Sequence, residues 1–371
     1  MTTTTSPSDP ADAPSVASAT SAPPPQVTVL PLTGLGEVRE GADLAALLAG
    51  ALAPLAPREG DVLCVSTKIL SKALGLRVSS EERDAAIERI AVRTVARRLH
   101  TRVVTSVVQI PSGPVMAAAG VDGSNAPDGP LLLPEDPDAC ARELRGGLVA
   151  RLGVSIGVVL TDTSSRIWRV GVSDIALGAA GVTSLEDLRG GVDADGRPLS
   201  VTVRNLADEL AAAADLVKGK ASGIPAALVR GVPGATGVDV PARELSRTGA
   251  DDWFRRPSLE SVWAALGLAP EQEPIARMSP EPAEERIARA LEVAALPRPG
   301  APPFLSRAAE VRDRSGSTHI VVERADASAA ALADAATLAE RVRTALGAES
   351  LGEELPQVPV LIVPDPEEDP R

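Results

Sequence analysis

The run from Val154 to Leu160 is apolar except at Ser155 and Gly157, and its Val and Ile content suits a strand covered on both faces. Such a strand belongs inside a layered, sheet-containing fold. It leads directly into Thr161-Asp162-Thr163-Ser164-Ser165-Arg166-Ile167-Trp168-Arg169-Val170-Gly171. Asp162 is therefore expected at the carboxyl end of a strand, where open sheets usually hold ligands. A carboxylate beside a hydroxyl offers hard oxygen ligands for Mg²⁺ or Mn²⁺, and Arg166 and Arg169 can grip anionic oxygens. Taken alone, a strand followed by Asp-Thr-Ser-Ser is more often a plain turn.

Three further segments change that balance. Gly60 to Lys72 is read as a strand that delivers Ser66, Thr67, Lys68 and Lys72, and Ala118 to Asn125 is a small-residue turn carrying Asp122. Leu216-Val217-Lys218-Gly219-Lys220-Ala221-Ser222-Gly223-Ile224-Pro225 leads into a strand from Ala226 to Arg230. Together with Thr161-Asp162-Thr163 and the later Trp168-Arg169-x-Gly171-x-x-Asp174, these blocks resemble the coenzyme F420:L-glutamate ligase family in type, order and spacing. The resemblance covers about Val27 to Ala250, and four ordered blocks are far more specific than any one of them.

The resemblance implies GTP-dependent ligation of L-glutamate, through its α-amine, to the terminal carboxylate of coenzyme F420-0, and then to the growing γ-linked tail. A carboxylate is a poor acyl donor, so the route implied is an acyl phosphate attacked by the amine. That chemistry needs positioning and charge neutralisation rather than a protein nucleophile. By the same resemblance Asp122, Asp162 and Thr163 are expected to bind Mg²⁺ or Mn²⁺, and K⁺ is admitted as a further ion. Leu35, Gly36, Glu37, Val38, Thr67, Lys72 and Asn125 are expected to contact GTP, and Arg166, Arg169 and Lys220 to serve as catalytic cations. Each has a plainer reading: Asp122 and Asn125 as turn formers, Lys72 as a solvated lysine, Trp168 as core or subunit contact, Lys218 and Lys220 as helix C-terminal cations.

Three departures from the family's pattern fall near these blocks: Leu74 stands where a carboxylate is usual, Ser165 where a glycine is usual, and Val172 where a glutamine is usual. They keep open two other readings, a paralogue that ligates another amino acid or acceptor and a weakened protein that only binds nucleotide or deazaflavin.

A net charge of −13 argues against nucleic acid as a partner, and no basic run suggests an anionic membrane. With no Tyr, two Phe and three Trp, packing falls to Ala, Val and Leu. Cys64 and Cys140 read as buried small hydrophobes rather than a disulfide framework. No apolar run approaches the roughly 20 residues that span a bilayer, and no signal-peptide layout opens the chain, so a cytoplasmic location is expected.

Residues 1–25, rich in Thr, Ser, Pro, Ala and Asp, are expected as a disordered tail. Strands are expected at Gln26–Leu30, Asp61–Val65, Arg102–Ile110 and Ser200–Arg204, the last after a hairpin turn at Asp193–Arg197. Helices are expected near Asp43–Leu52, at Asp138–Val149 and at Leu206–Val217. Ser79 and Glu82 form a candidate capping box, and Ile87, Ile90, Ala91, Thr94, Val95 and Leu99 recur at helical spacing. The overall expectation is an α+β ligase core at residues 26–250 with mixed sheets, forming an intertwined homodimer. A small α/β module follows at residues 251–363, with Trp253-Phe254-Arg255-Arg256-Pro257 marking the junction. Its expected elements are a helix at Pro282–Ala295, a strand at Thr318–Glu323, a helix at Ser328–Leu346 and a strand at Val358–Val363. This module is too short for a recognisable flavin site, so FMN binding is not expected. An acidic tail occupies 364–371.

Overall fold

The computed structural model describes residues 26–100, 102–248, 259–277, 281–312, 317–350 and 355–364. The expected tail at 1–25, all but the first residue of that at 364–371, and the junction at Trp253–Pro257 lie outside them. In chain order the elements are β1 (Thr28–Pro31), α1 (Leu44–Leu52), β2 (Val62–Ser66), α2 (Thr67–Ala73), α3 (Arg83–Ile90), β3 (Arg93–His100), β4 (Val103–Gln109) and β5 (Val115–Ala117). Then come α4 (Pro137–Leu152), β6 (Gly157–Ser165), β7 (Val172–Ala180), β8 (Leu185–Asp187), β9 (Val203–Asn205), α5 (Leu206–Lys218) and β10 (Ala226–Arg230). The remainder is α6 (Leu259–Leu266), β11 (Ala276–Arg277), α7 (Ala283–Ala295), β12 (Arg307–Arg312), β13 (Thr318–Glu323), α8 (Ala329–Glu349) and β14 (Val360–Val363). The architecture is α+β with mixed sheets, as expected.

The central sheet runs β1-β10-β2-β6-β7, with β2 and β6 parallel and the other neighbours antiparallel. Its middle strands are covered on both faces. Leu63, Val65, Val158 and Leu160 pack with Leu48, Leu52, Leu144 and Leu148 from α1 and α4. Val62, Cys64 and Val159 face the opposite way, onto Leu206, Leu210 and Ala214 of α5. Burial of this kind is worth roughly 25 cal/mol per Å² of apolar surface. It fixes the register of β6, because a slip by one residue would turn each apolar side chain to the wrong layer.

Capping residues end the elements where the site begins. Ser66 closes β2 and its side chain accepts a hydrogen bond from the Lys68 N–H, starting α2 at once. Thr67 to Lys72 are therefore helical, where a strand carrying these residues was expected. Lys68 and Lys72, four residues apart, share one helix face. Asp136 caps α4 by accepting from Ala139 N–H at 2.9 Å. Asp138, buried in the first turn of α4, accepts from the Ala179 and Ala242 backbones at 2.9 and 2.8 Å and ties α4 to β7.

Three further expectations are corrected. The capping box does form, with Ser79 N–H donating to Glu82 and Glu82 N–H to Ser79. The helix it opens nevertheless stops at Ile90. Thr94, Val95 and Leu99 lie instead in β3, which pairs antiparallel with β4. Branched residues at 92, 94 and 95 suit the pleated surface, and pairing with β4 overrides a short helical periodicity. Trp168, read as core or subunit contact, is 70% exposed and has a positive φ of 61°, so it fills no core. Cys140 is only half-buried, unlike Cys64.

The C-terminal strands and helices fall close to expectation. β12-β13-β14 form a sheet on which α7 and α8 pack, through Ile287, Ile320, Val322, Leu338 and Val342. Three elements of this segment escaped sequence reading: β12; α6, whose Trp263 is buried against Val293 and Ala345; and β11, which adds in parallel to the edge of β3.

Candidate functional site

Most of the expected site residues converge at one end of the central sheet. β6 runs past Leu160 to Ser165, so Asp162 sits inside the strand rather than beyond its end. A register shift follows Leu160: it pairs with Gly178 while Thr161 pairs with Ala176, leaving Leu177 as the extra residue of a bulge. From there, alternation along β6 divides the polar side chains between its two faces. Asp162 follows Val158 and Leu160 toward α2. Thr161 and Thr163 follow Val159 toward α5.

On the α2 side, the Lys68 ammonium stands between two carboxylates, 2.7 Å from Asp122 and 3.7 Å from Asp162. Burial pushes the Asp162 carboxyl above its ordinary range, with Lys68 only partly opposing and Asp174 and Asp122 adding to the rise. For Asp122 burial acts the same way, but hydrogen bonds from Lys68 and Ser124 more than offset it and the carboxyl lies below its usual value. Burial works against the Lys68 charge, yet Asp162 and Asp122 outweigh it and hold the ammonium protonated. Asp122 also accepts from Ser124 N–H at 2.7 Å and Ser124 Oγ at 2.6 Å. The turn-forming reading of Asp122 is thus realised, and the same carboxylate pairs with Lys68.

On the α5 side Asp174 of β7 is the centre. It accepts from Thr161 Oγ1 at 2.8 Å, from Thr163 Oγ1 at 2.9 Å and from Lys218 Nζ at 2.5 Å. Lys218 donates to Thr161 Oγ1 as well, at 2.7 Å, and is only 3% exposed. Burial alone would raise the Asp174 carboxyl; the Lys218 charge and these hydrogen bonds overcome it and hold the value below ordinary. Lys220 donates to Thr163 Oγ1. Beneath them the Cys64 thiol is pushed up to about 12, chiefly by burial, which keeps it an un-ionised hydrophobe.

Both groups open onto one cavity of about 420 Å³. Leu35, Gly36, Glu37 and Val38 form one wall, Lys68 and Lys72 of α2 another, and the turn from Gly219 to Pro225 a third, with Asn125 at the rim. Gly219 and Gly223 take positive φ of 58° and 68°, a backbone that suits glycine. Lys72, only 7% exposed rather than solvated, pairs with Glu37 at 2.5 Å. The Asn125 amide donates to the Lys220 carbonyl at 3.4 Å. Four lysines (68, 72, 218, 220) and four carboxylates (Glu37, Asp162, Asp174, Asp215) line the space. The wall is therefore close to neutral, and a polyanion entering it needs positive charge from elsewhere or from lysines released by their partners.

Several expected residues stand apart. Thr67 lies beneath the cavity floor, donating to the Thr161 carbonyl at 3.3 Å. Asp122 borders a smaller recess with Thr67, Lys68 and Asp162. Arg166 reaches the Asp174 carbonyl at 3.5 Å and Asp208 at 3.9 Å, and Arg169 is exposed in the β6–β7 connection; neither lines the cavity. Leu74, Ser165 and Val172 also lie outside its wall, the last two facing each other at the far end of the β6–β7 pair. Sequence reading overlooked Lys68 and Asp174 as organising residues and read Lys218 as a helix-end cation. Their signals were Lys68 spaced four residues from Lys72, and Asp174 within the quoted Trp-Arg-x-Gly-x-x-Asp block.

No three His, Cys, Asp or Glu side chains among the described residues gather into a metal cluster of their own. Mg²⁺ and Mn²⁺ do not require one, since such ions are commonly held by one or two carboxylates and completed by water and substrate phosphates. Asp122 and Asp162, converging on one ammonium, fit that donor set. Among the described residues no helix is long and apolar enough to cross a membrane.

Fold and site together define an α+β protein with a charge-balanced cavity at the end of a mixed sheet. The chain belongs to the F420-0:gamma-glutamyl ligase family, whose model matches residues 34–231. It is 39% identical over 251 residues to the coenzyme F420:L-glutamate ligase of Methanopyrus kandleri, covering 62% of this chain and 98% of that protein. The ligase of the same name from Haloarcula marismortui is 37% identical over 260 residues, covering 64% and 96%. That from Archaeoglobus fulgidus is 37% identical over 248 residues, covering 62% and 97%.

Proposed function

We propose that this chain joins L-glutamate to coenzyme F420-0 and extends the γ-linked tail, consuming GTP through an acyl phosphate. The observation that carries this reading is the coincidence of cavity and family: every wall residue, from Leu35 to Pro225, falls inside the matched segment 34–231. The near-neutral wall supports it as well. Lys72 can leave the exposed Glu37 for a phosphate, so entry of the nucleotide exchanges one ion pair for another. Asp122 and Asp162 would hold a divalent ion, which supplies charge neutralisation between phosphates. The glycine-containing turn from Gly219 to Pro225 and the wall from Leu35 to Val38 bound the nucleotide and limit water around the reacting carboxylate. Leu74, Ser165 and Val172 do not face the cavity, which favours an active ligase over a binding-only protein.

A homodimer belongs to the same reading, since Ile167, Trp168, Val170 and Val172 expose apolar surface together at the β6–β7 connection. The test is direct: incubate the full chain with F420-0, GTP, Mn²⁺ and each amino acid in turn, then identify products by mass spectrometry. A product heavier by one or more glutamates is expected, and its loss in Asp162→Asn. No product with glutamate but one with another amino acid would move the enzyme to a different specificity.

A further inference from the structure

Helix α1 has no polar side chain: Leu44 to Leu52 reads Leu-Ala-Ala-Leu-Leu-Ala-Gly-Ala-Leu, apolar around its whole circumference. A helix of that kind is normally covered on every side. One stripe is accounted for, since Leu44, Leu48 and Leu52 lie in the core with α4 and the central sheet. A second stripe, Leu47, Gly50, Ala51 and, just beyond the helix, Pro54, repeats at i, i+3, i+4 and i+7 and stays open, with Leu47 44% exposed. It borders a cavity of about 370 Å³ whose other side is formed by Pro31, Thr33 and Gly34. Apart from Thr33, every residue lining this cavity is Leu, Ala, Pro or Gly. Glycines make the room: among the described residues nothing stands within 4 Å of a Cβ added at Gly34, Gly36 or Gly50. Leu35 and Gly36 line both this cavity and the charged one beside β6, so the two are neighbours across one dipeptide.

We propose that this apolar cavity seats the deazaflavin ring of the acceptor, whose chain then passes the Leu35–Gly36 dipeptide and delivers the terminal carboxylate to the charged cavity. This rests on the ligase reading, in which the acceptor is coenzyme F420-0. Such an acceptor joins a flat fused ring to an anionic tail, and the structure offers an uncharged aliphatic cavity beside a charged one. Laying the ring against Leu47, Ala51 and Pro54 removes apolar surface of both from water, and the exposed Thr33 hydroxyl lies within the same wall for the ring's polar edge. The guanine of a nucleotide suits the cavity less, because its edge needs several donors and acceptors when buried and Thr33 is the one polar side chain in the lining. Ser66, Asn125 and Asp215 of the charged cavity supply such groups. A second copy of the chain also suits it less, because the open stripe borders a recess that shares a wall with the site rather than a flat face.

The experiment titrates F420-0 into the full-length protein without nucleotide, following deazaflavin fluorescence, and titrates GTP separately by calorimetry. Gly50→Leu places a side chain in the open space and exchanges a helical glycine for a better helix former, so the fold is kept. Leu47→Glu sets a charge against the ring from an exposed position. Each variant is expected to weaken F420-0 binding by about tenfold or more, with GTP affinity and the oligomeric state on size-exclusion chromatography unchanged. Unchanged F420-0 affinity in either variant would overturn the proposal and leave the ligase reading intact. Weakened GTP binding with the acceptor unaffected would give the cavity to the guanine, and an altered oligomeric state with the acceptor unaffected would make it a subunit contact; both overturn the proposal. No F420-0 binding by the unaltered protein would instead remove the ligase reading's acceptor, and the proposal with it.

Discussion

Replacing Asp174 by asparagine should destabilise the core more than any other single change at the site. The side chain joins β6, β7 and α5 through three polar contacts, two from threonine hydroxyls on β6 and one from the Lys218 ammonium. Asp174→Asn leaves the Lys218 ammonium buried without a counter-charge. Breaking one partner of a buried pair costs about 3–5 kcal/mol. At roughly 2–4 °C per kcal/mol for a domain of this size, the melting temperature should fall by roughly 6–20 °C. The partner variant Lys218→Met should cost less, because Asp174 keeps both threonine donors. The double variant should recover much of the Asp174→Asn loss, since a buried pair exchanged for neutral groups is often tolerated. Thermal unfolding by circular dichroism would measure all three. The acid dependence has a defined sign. The Asp174 carboxyl lies below its unfolded value of 3.8, so its contribution is complete above that pH and is lost as pH falls through the lower folded value. A single variant within about 1 kcal/mol of the parent, or a double variant as unstable as the two singles summed, would refute the claim that the pair organises the site.

Lys72→Ala should raise the KM for GTP about tenfold or more with little change in kcat, because it removes a point charge from the wall and leaves Asp122 and Asp162 in place; an effect confined to the KM for glutamate would place Lys72 at the amino acid instead. A truncated chain of residues 26–248 should retain ligation, since the cavity is lined only by residues between Leu35 and Pro225; inactivity of a soluble, folded truncation would assign the later segment a part in the site. That truncation also frees the β3 edge covered by β11 and removes the Arg98–Glu260 pair, so light scattering should show increased self-association. In the C-terminal segment, burial would raise the Glu281 carboxyl, but hydrogen bonding and charge from Arg289 overcome it and hold it below its ordinary 4.5. The stability it contributes is therefore present above pH 4.5 and lost below, and Glu281→Gln should flatten that acid limb in a pH series of melts.

The layered sheet was legible in the chain because its signal is local: an apolar β6, capped helices at α1 and α4, and β10 and β13 read residue for residue from their apolar runs. Asp122 and Asp162 lay in the ordered blocks, and the resemblance those blocks carry named Leu35 to Val38. Sequence could not separate helix from strand after Ile90, where Thr94, Val95 and Leu99 satisfy a helical spacing but are drawn into β3 by a partner strand. It also could not show α6 or β11, whose places depend on surfaces made by distant segments. Nor could it assign charges to partners. Lys68, Lys218 and Lys220 are ordinary lysines in one dimension. Only the bulge after Leu160, the alternation of β6 and the arrival of α5 opposite β7 set one lysine between two carboxylates and two others on Asp174 and Thr163. Periodicity and capping act over a few residues and are written in the sequence, whereas electrostatic pairing acts across tens of residues and is decided only when the layers close.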